Sequence, residues 1–130
     1  SFPMVSTGVC DYMVFFDSGS HWLTDKAKEE LEKTAGCLRK YPEQTVYVRG
    51  HTDSRHVKWL KGRSVSNNVD LAMRRAGMVF DYLRSLGFDP RRFELVSFGA
   101  RQPAQKTGKD ESVKGNRRVQ ILSRPKTLFE

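Results

Sequence analysis

"VYVRGHTDSRHVKWLKGR" occupies residues 46–63. It opens as an alternating strand, with Val46 and Val48 on one face and Thr45, Tyr47 and Arg49 on the other. Gly50, His51, Thr52 and Asp53 then stand in a row. Arg55, His56, Lys58, Trp59, Lys61 and Arg63 follow. A hydrophobic strand that ends this way admits four readings: a catalytic site, a metal site, a nucleic-acid patch or a recognition loop.

The flanking segments fix the setting. Upstream, "DYMVFF" is short, apolar and aromatic and reads as a strand, broken by "DSGSHWL". Thr24 can cap a helix, with Asp25 favourable at its positive end. Ala27, Leu31, Ala35 and Leu38 give that helix one apolar face, and Pro42 closes it. Downstream, Ala72, Ala76, Val79, Phe80 and Leu83 mark a second amphipathic helix, with Gly87 placed to end it. "FELVSFG" and "RRVQIL" read as two further strands, separated by a polar stretch with room for one short helical turn. The order β-α-β-α-β-β predicts an α/β (α+β) sandwich, with two helices packed on one face of a small mixed sheet. At 130 residues the chain reads as one domain, 1–130, with a lead-in over 1–10 and a loose tail over 125–130.

Composition narrows the partners. The 38% hydrophobic content fits a globular core, and no apolar run approaches the roughly 20 residues that span a bilayer. No signal peptide is visible, and the chain reads as part of a longer, targeted protein. The formal charge of +8 favours an anionic partner: nucleic acid, an anionic membrane surface or a carboxylate-bearing polymer. Cys10 and Cys37 carry no zinc spacing. They can form one bridge tying the N-terminal segment to the first helix, or stay reduced as small buried residues.

His51, Asp53 and His56 could ligate zinc only by converging from a strand end and a loop, so the metal reading is weak. No serine sits in a nucleophile elbow. Basic residues are plentiful, but no nucleic-acid-binding signature accompanies them. The recognition reading has more structure. Gly50 allows close backbone approach. Asp53 sets a carboxylate just past the strand, Asn68 stands near the second helix start, and Arg75 lies in that helix's N-terminal half, expected on the flank facing Asp53 and not on the core face of Ala72, Ala76 and Val79. Asp53 can accept from an ammonium while Arg75 holds a carboxylate, a pair suited to a zwitterion. Asp53 and Arg75 could equally pair with each other.

Five stretches in register resemble one family. They are "FDSGSHWLT" (16–24), "VYVRGHTD" (46–53), "NVDLAMRRA" (68–76), "SFGARQP" (97–103) and "NRRVQI" (116–121). Together they resemble the OmpA C-terminal-like domain, the peptidoglycan-binding module of peptidoglycan-associated lipoproteins and MotB-type stator proteins. The resemblance implies a non-enzymatic anchor that binds the stem peptide, chiefly its diaminopimelate. It implies a ligand set of Asp53, Arg75, Asn68 and Arg117, with Thr52 and Leu71 completing it, and no metal or cofactor. His51 is then structural. The expected partner is peptidoglycan, with other proteins of a secretion, motor or outer-membrane complex and no nucleic acid. The expected setting is the periplasm of a Gram-negative bacterium, tethered to a membrane through a region not in this sequence. There the Cys10–Cys37 bridge is favoured. The chain departs from the family at His56, at Ala72 and in its long basic loop between Asp53 and Asn68. That loop leaves open a protein-interaction module of a secretion or motor complex with an altered ligand, or an anionic-polymer or nucleic-acid binder acting through the basic surface.

Overall fold

A computed structural model of the chain describes residues 8–53, 67–101 and 114–126. The elements are β1 (Tyr12–Phe15), α1 (Asp25–Lys40), β2 (Gln44–His51), α2 (Asn68–Ser85), β3 (Phe93–Gly99) and β4 (Arg118–Pro125). Short 3-10 turns at Pro90–Arg92 and Lys114–Asn116 precede β3 and β4. The architecture is the expected α+β sandwich.

Local chemistry explains the helices. Thr24 caps α1, its Oγ1 accepting from the Ala27 amide at 3.0 Å. Ala27, Leu31, Ala35 and Leu38 form its buried stripe. The other end of α1 is closed by a residue the sequence did not flag. The Arg92 guanidinium donates to the carbonyls of Leu38, Tyr41 and Gln44, satisfying acceptors that a helix end leaves open. Asn67 caps α2, so Asn68 is the first helical residue. Gly87, with φ +102°, takes the left-handed position after α2.

The sheet order is β1-β4-β2-β3. β4 is antiparallel to both β1 and β2, and β2 is parallel to β3. Val14, Val46, Val48, Val119 and Ile121 present one sheet face to Leu31, Leu38, Val79 and Leu83 of the two helices, and all are buried. Pro125 is the last residue of β4 and pairs with Gln44. Residues 127–130 of the expected tail lie outside the described residues. In the expected lead-in, Cys10 is buried, donates its amide to Ser123 Oγ at 2.9 Å, and is joined to Cys37 by a disulfide.

Two details place the end of β2. A Cβ on Gly50 would run into the carbonyl of Ala72, so the backbone that approaches this glycine is α2 itself. Just beyond, the register with β3 slips: Gly50 pairs with Ser97 but His51 with Gly99. Phe98 is the extra residue of this bulge. The Thr52 amide then donates to the Gly99 carbonyl at 2.8 Å, and Gly99 lies against Val69 at the start of α2. Asp53 is thereby set beside the first turns of α2.

Candidate functional site

The ends of β1 and β2, the start of α2 and the start of β4 converge on one cluster of charge. Asp53 is 7% exposed, and its Oδ2 lies 3.4 Å from Nη1 of Arg117. Arg117 also donates through Nε to the Phe16 carbonyl at 3.0 Å, while its own carbonyl accepts from the Phe16 amide. This ties β1 to the turn before β4.

Arg75 is the largest fully buried side chain described. The expectation placed it on a flank of α2, apart from the core face of Ala72, Ala76 and Val79. Instead it shares the buried stripe with Leu71, Ala72, Ala76 and Val79. Its guanidinium donates to the carbonyls of Ser20 (2.7 Å), His51 (3.0 Å) and Asp17 (3.1 Å), and lies 5.3 Å from the centre of the Phe16 ring. A fork of five N–H groups thus has three directed at backbone from two strand ends. Burial pulls its pKa down to about 10, opposed by the charge of Asp53 and reinforced by that of Arg117. Arg75 therefore stays cationic at neutral pH, within the electrostatic reach of both. A simple Asp53–Arg75 pair is not what forms: the ion pair runs from Asp53 to Arg117, with Arg75 behind them.

The other expected residues border this cluster. Thr52 Oγ1 and Asn68 Oδ1 are buried polar atoms without a hydrogen-bond partner, an uncommon condition that a ligand or water relieves. Leu71 is 2% exposed and stands outside the main apolar cluster, at the site end of α2. Residues 54–66, with His56 and the basic loop, lie outside the described residues. The sequence reading missed that Asp17 and Ser20 serve through their carbonyls, which leave no trace in side-chain type. The burial of Arg75 did have a signal: it stands three residues after Ala72 and four before Val79, on the apolar stripe.

A family model described as OmpA family matches residues 15–117. The chain belongs to the OmpA family. Among its relatives, the peptidoglycan-associated lipoprotein of Brucella melitensis is 30% identical over 106 residues, covering 82% of this chain. This OmpA-family chain spans 59% of that relative's length. The crystal structure of the peptidoglycan-associated lipoprotein from Burkholderia pseudomallei superposes with a TM-score of 0.73 at 26% identity, over 87% of this chain and 90% of that one. The periplasmic domain of Helicobacter pylori MotB gives 0.73 at 23% identity, over 87% and 71%, a likeness of fold alone.

His51 has a different part in this OmpA-family domain. Its carbonyl holds Arg75, but strand alternation turns its ring to the opposite sheet face. There Nε2 donates to Gln120 Oε1 at 2.8 Å and the ring stacks on Phe98 at 5.2 Å. Burial, then the charge of Arg118, lowers its pKa from 6.5 to about 4, against the raising effect of the Gln120 bond, with Arg49 adding to the lowering. The unfolded chain thus takes up this proton first. Stability is unaffected by His51 above about pH 6.5 and falls between there and about pH 4, by about 3 kcal/mol in all. His51→Gln should remove that part of the acid sensitivity, read from urea unfolding at neutral and acid pH. An unchanged acid slope would assign it to other groups.

Proposed function

We propose that this domain grips the stem peptide of peptidoglycan without chemical turnover, and so anchors an envelope protein to the cell wall. The observation that carries the reading is one buried carboxylate, Asp53, facing two guanidiniums, Arg117 and Arg75. Diaminopimelate is a complementary zwitterion: Asp53 accepts from its ammonium while the two arginines face its carboxylate. Thr52 Oγ1 and Asn68 Oδ1 add acceptors with no partner of their own. Arg75 acts chiefly from behind, as a fixed cation that holds the carbonyls of both strand ends in place. His51 keeps its ring on the other face of the sheet and is not assigned an acid–base role.

Two further facts support the setting. The Brucella and Burkholderia relatives carry peptidoglycan association in their names. The Cys10–Cys37 disulfide suits an oxidising compartment. We therefore propose a periplasmic, membrane-tethered setting for the domain.

The test is co-sedimentation with purified sacculi. Asp53→Ala and the near-isosteric Asp53→Asn each remove a charge-assisted contact worth about 1.5–3 kcal/mol, so binding should fall by about 10- to 100-fold. Circular dichroism checks that each variant is folded. Undiminished binding by a folded variant would sink the assignment.

A further inference from the structure

Trp22 is the most exposed large apolar side chain among the described residues, with 62% of its surface open. Its position is nonetheless fixed. The Ser20 amide donates to the Asp17 carbonyl at 3.0 Å, and the Trp22 amide donates to Ser20 Oγ at 3.0 Å. The next residue, Leu23, packs against the core. The carbonyl of Ser20 is also the one that holds Nε of Arg75. The loop presenting Trp22 is thus bolted to the charged site. The His21 ring lies beside the indole, centre to centre 4.4 Å. Behind them is a concavity of about 360 Å³ lined by Trp22, Leu23, Lys28, Met78, Asp81 and Tyr82. Met78 is one turn of α2 beyond Arg75, about 5 Å along the helix axis.

We infer that Trp22 is a stacking platform for a sugar ring of the glycan strand that bears the stem peptide. The inference rests on the stem-peptide reading above. Two amino-acid residues and the lactyl link separate diaminopimelate from the sugar, a span of about 10 Å. Two residues of chain from Ser20 to Trp22, at most about 7 Å, together with the indole itself, cover that span. A pyranose shows C–H groups on one face and hydroxyls around its rim. The C–H face meets the electron-rich face of the indole, and the hydroxyls meet Lys28 and Asp81. A protein partner suits the place less well. Stable interfaces bury about 800 Å² per side, centred on an apolar core. Among the described residues, the apolar surface here is limited to Trp22 with Leu23, Met78 and Tyr82, edged by Lys28 and Asp81.

The experiment is calorimetric titration of the whole chain with two probes: the free stem pentapeptide, and the same pentapeptide carried on its disaccharide. The native protein should bind the disaccharide form about five- to tenfold more tightly. Trp22→Ala should erase that difference and leave free-peptide affinity within about twofold, while Trp22→Tyr should keep most of it. Because Trp22 is so exposed, the thermal midpoint should stay put and confirm the fold. The subsite is overturned if the native protein gains nothing from the disaccharide, or if Trp22→Ala keeps the gain, as for a tryptophan that serves a protein partner. It is overturned too if both probes weaken equally, since the loop would then act only through Arg75. Failure of the native protein to bind either probe instead overturns the stem-peptide reading, and the subsite with it.

Discussion

Arg75→Lys is expected to lower the unfolding free energy by about 3–5 kcal/mol and to abolish retention on sacculi. The guanidinium reaches three carbonyls, those of Asp17, Ser20 and His51, from one planar fork. An ammonium has a single point of donation and can replace at most part of that set. The Asp17 carbonyl would keep the Ser20 amide, so the loss falls on the part-buried Ser20 carbonyl and on the buried His51 carbonyl. Charge is at risk as well. Burial already draws Arg75 down to about 10, and a lysine, starting lower, loses its proton more easily in the same place. A neutral residue there leaves Asp53 facing Arg117 alone. Arg74→Lys is the matched control. Arg74 is part-exposed and sits 3.9 Å from Asp70 on the helix surface, so its replacement should change stability by less than about 0.5 kcal/mol. Urea midpoints give the stability difference, and stem-peptide titration of the folded fraction gives the binding difference. Equal losses from the two variants would mean a diffuse cationic surface and not a built site.

Removing the disulfide should be nearly as costly. Cys10 and Cys37 are 27 residues apart, and the loop-entropy relation gives about 3.5 kcal/mol for closing that span. For a chain of this size the thermal midpoint should fall by about 10–15 °C, either in Cys10→Ala/Cys37→Ala or under reductant. The loss is concentrated where β1 begins, because Cys10 also anchors Ser123 of β4. Thiol titration of unfolded, unreduced protein should find no free thiol. Two free thiols in material from an oxidising compartment, or a melting curve indifferent to reductant, would refute the role given to the bridge.

What could be read in the sequence was whatever is written locally. The six main elements announced themselves through period and punctuation: the apolar stripe from Ala27 to Leu38, the alternation about Val46 and Val48, the stop at Gly87. The acid at the end of β2 and the arginine just before β4 were singled out through the family resemblance of their motifs, but not as partners of each other. Strand order was not. β1 meets β4 through residues such as Tyr12 and Ile121, and no local pattern records a partner so far along the chain. The inward turn of Arg75 was misjudged because arginine is seldom fully buried. Its spacing marked the buried stripe, and residue type was allowed to outweigh spacing. The closing of α1 by Arg92 was illegible, for a carbonyl acceptor is the same in every residue.

The place of β4 in the middle of the sheet bears on how the protein is made. Among the described strands it is the last to be synthesised, yet β1 and β2 both depend on it. The contact from Cys10 to Ser123 closes 113 residues of chain, an entropic barrier of about 4 kcal/mol before any gain from packing. Assembly therefore waits for β4, and folding should be slow for a domain of this size. Until then β1 and β2 are bare edges open to the wrong neighbour. A stop codon just before Arg118 would not trim a margin. It would take out the strand that joins the two halves.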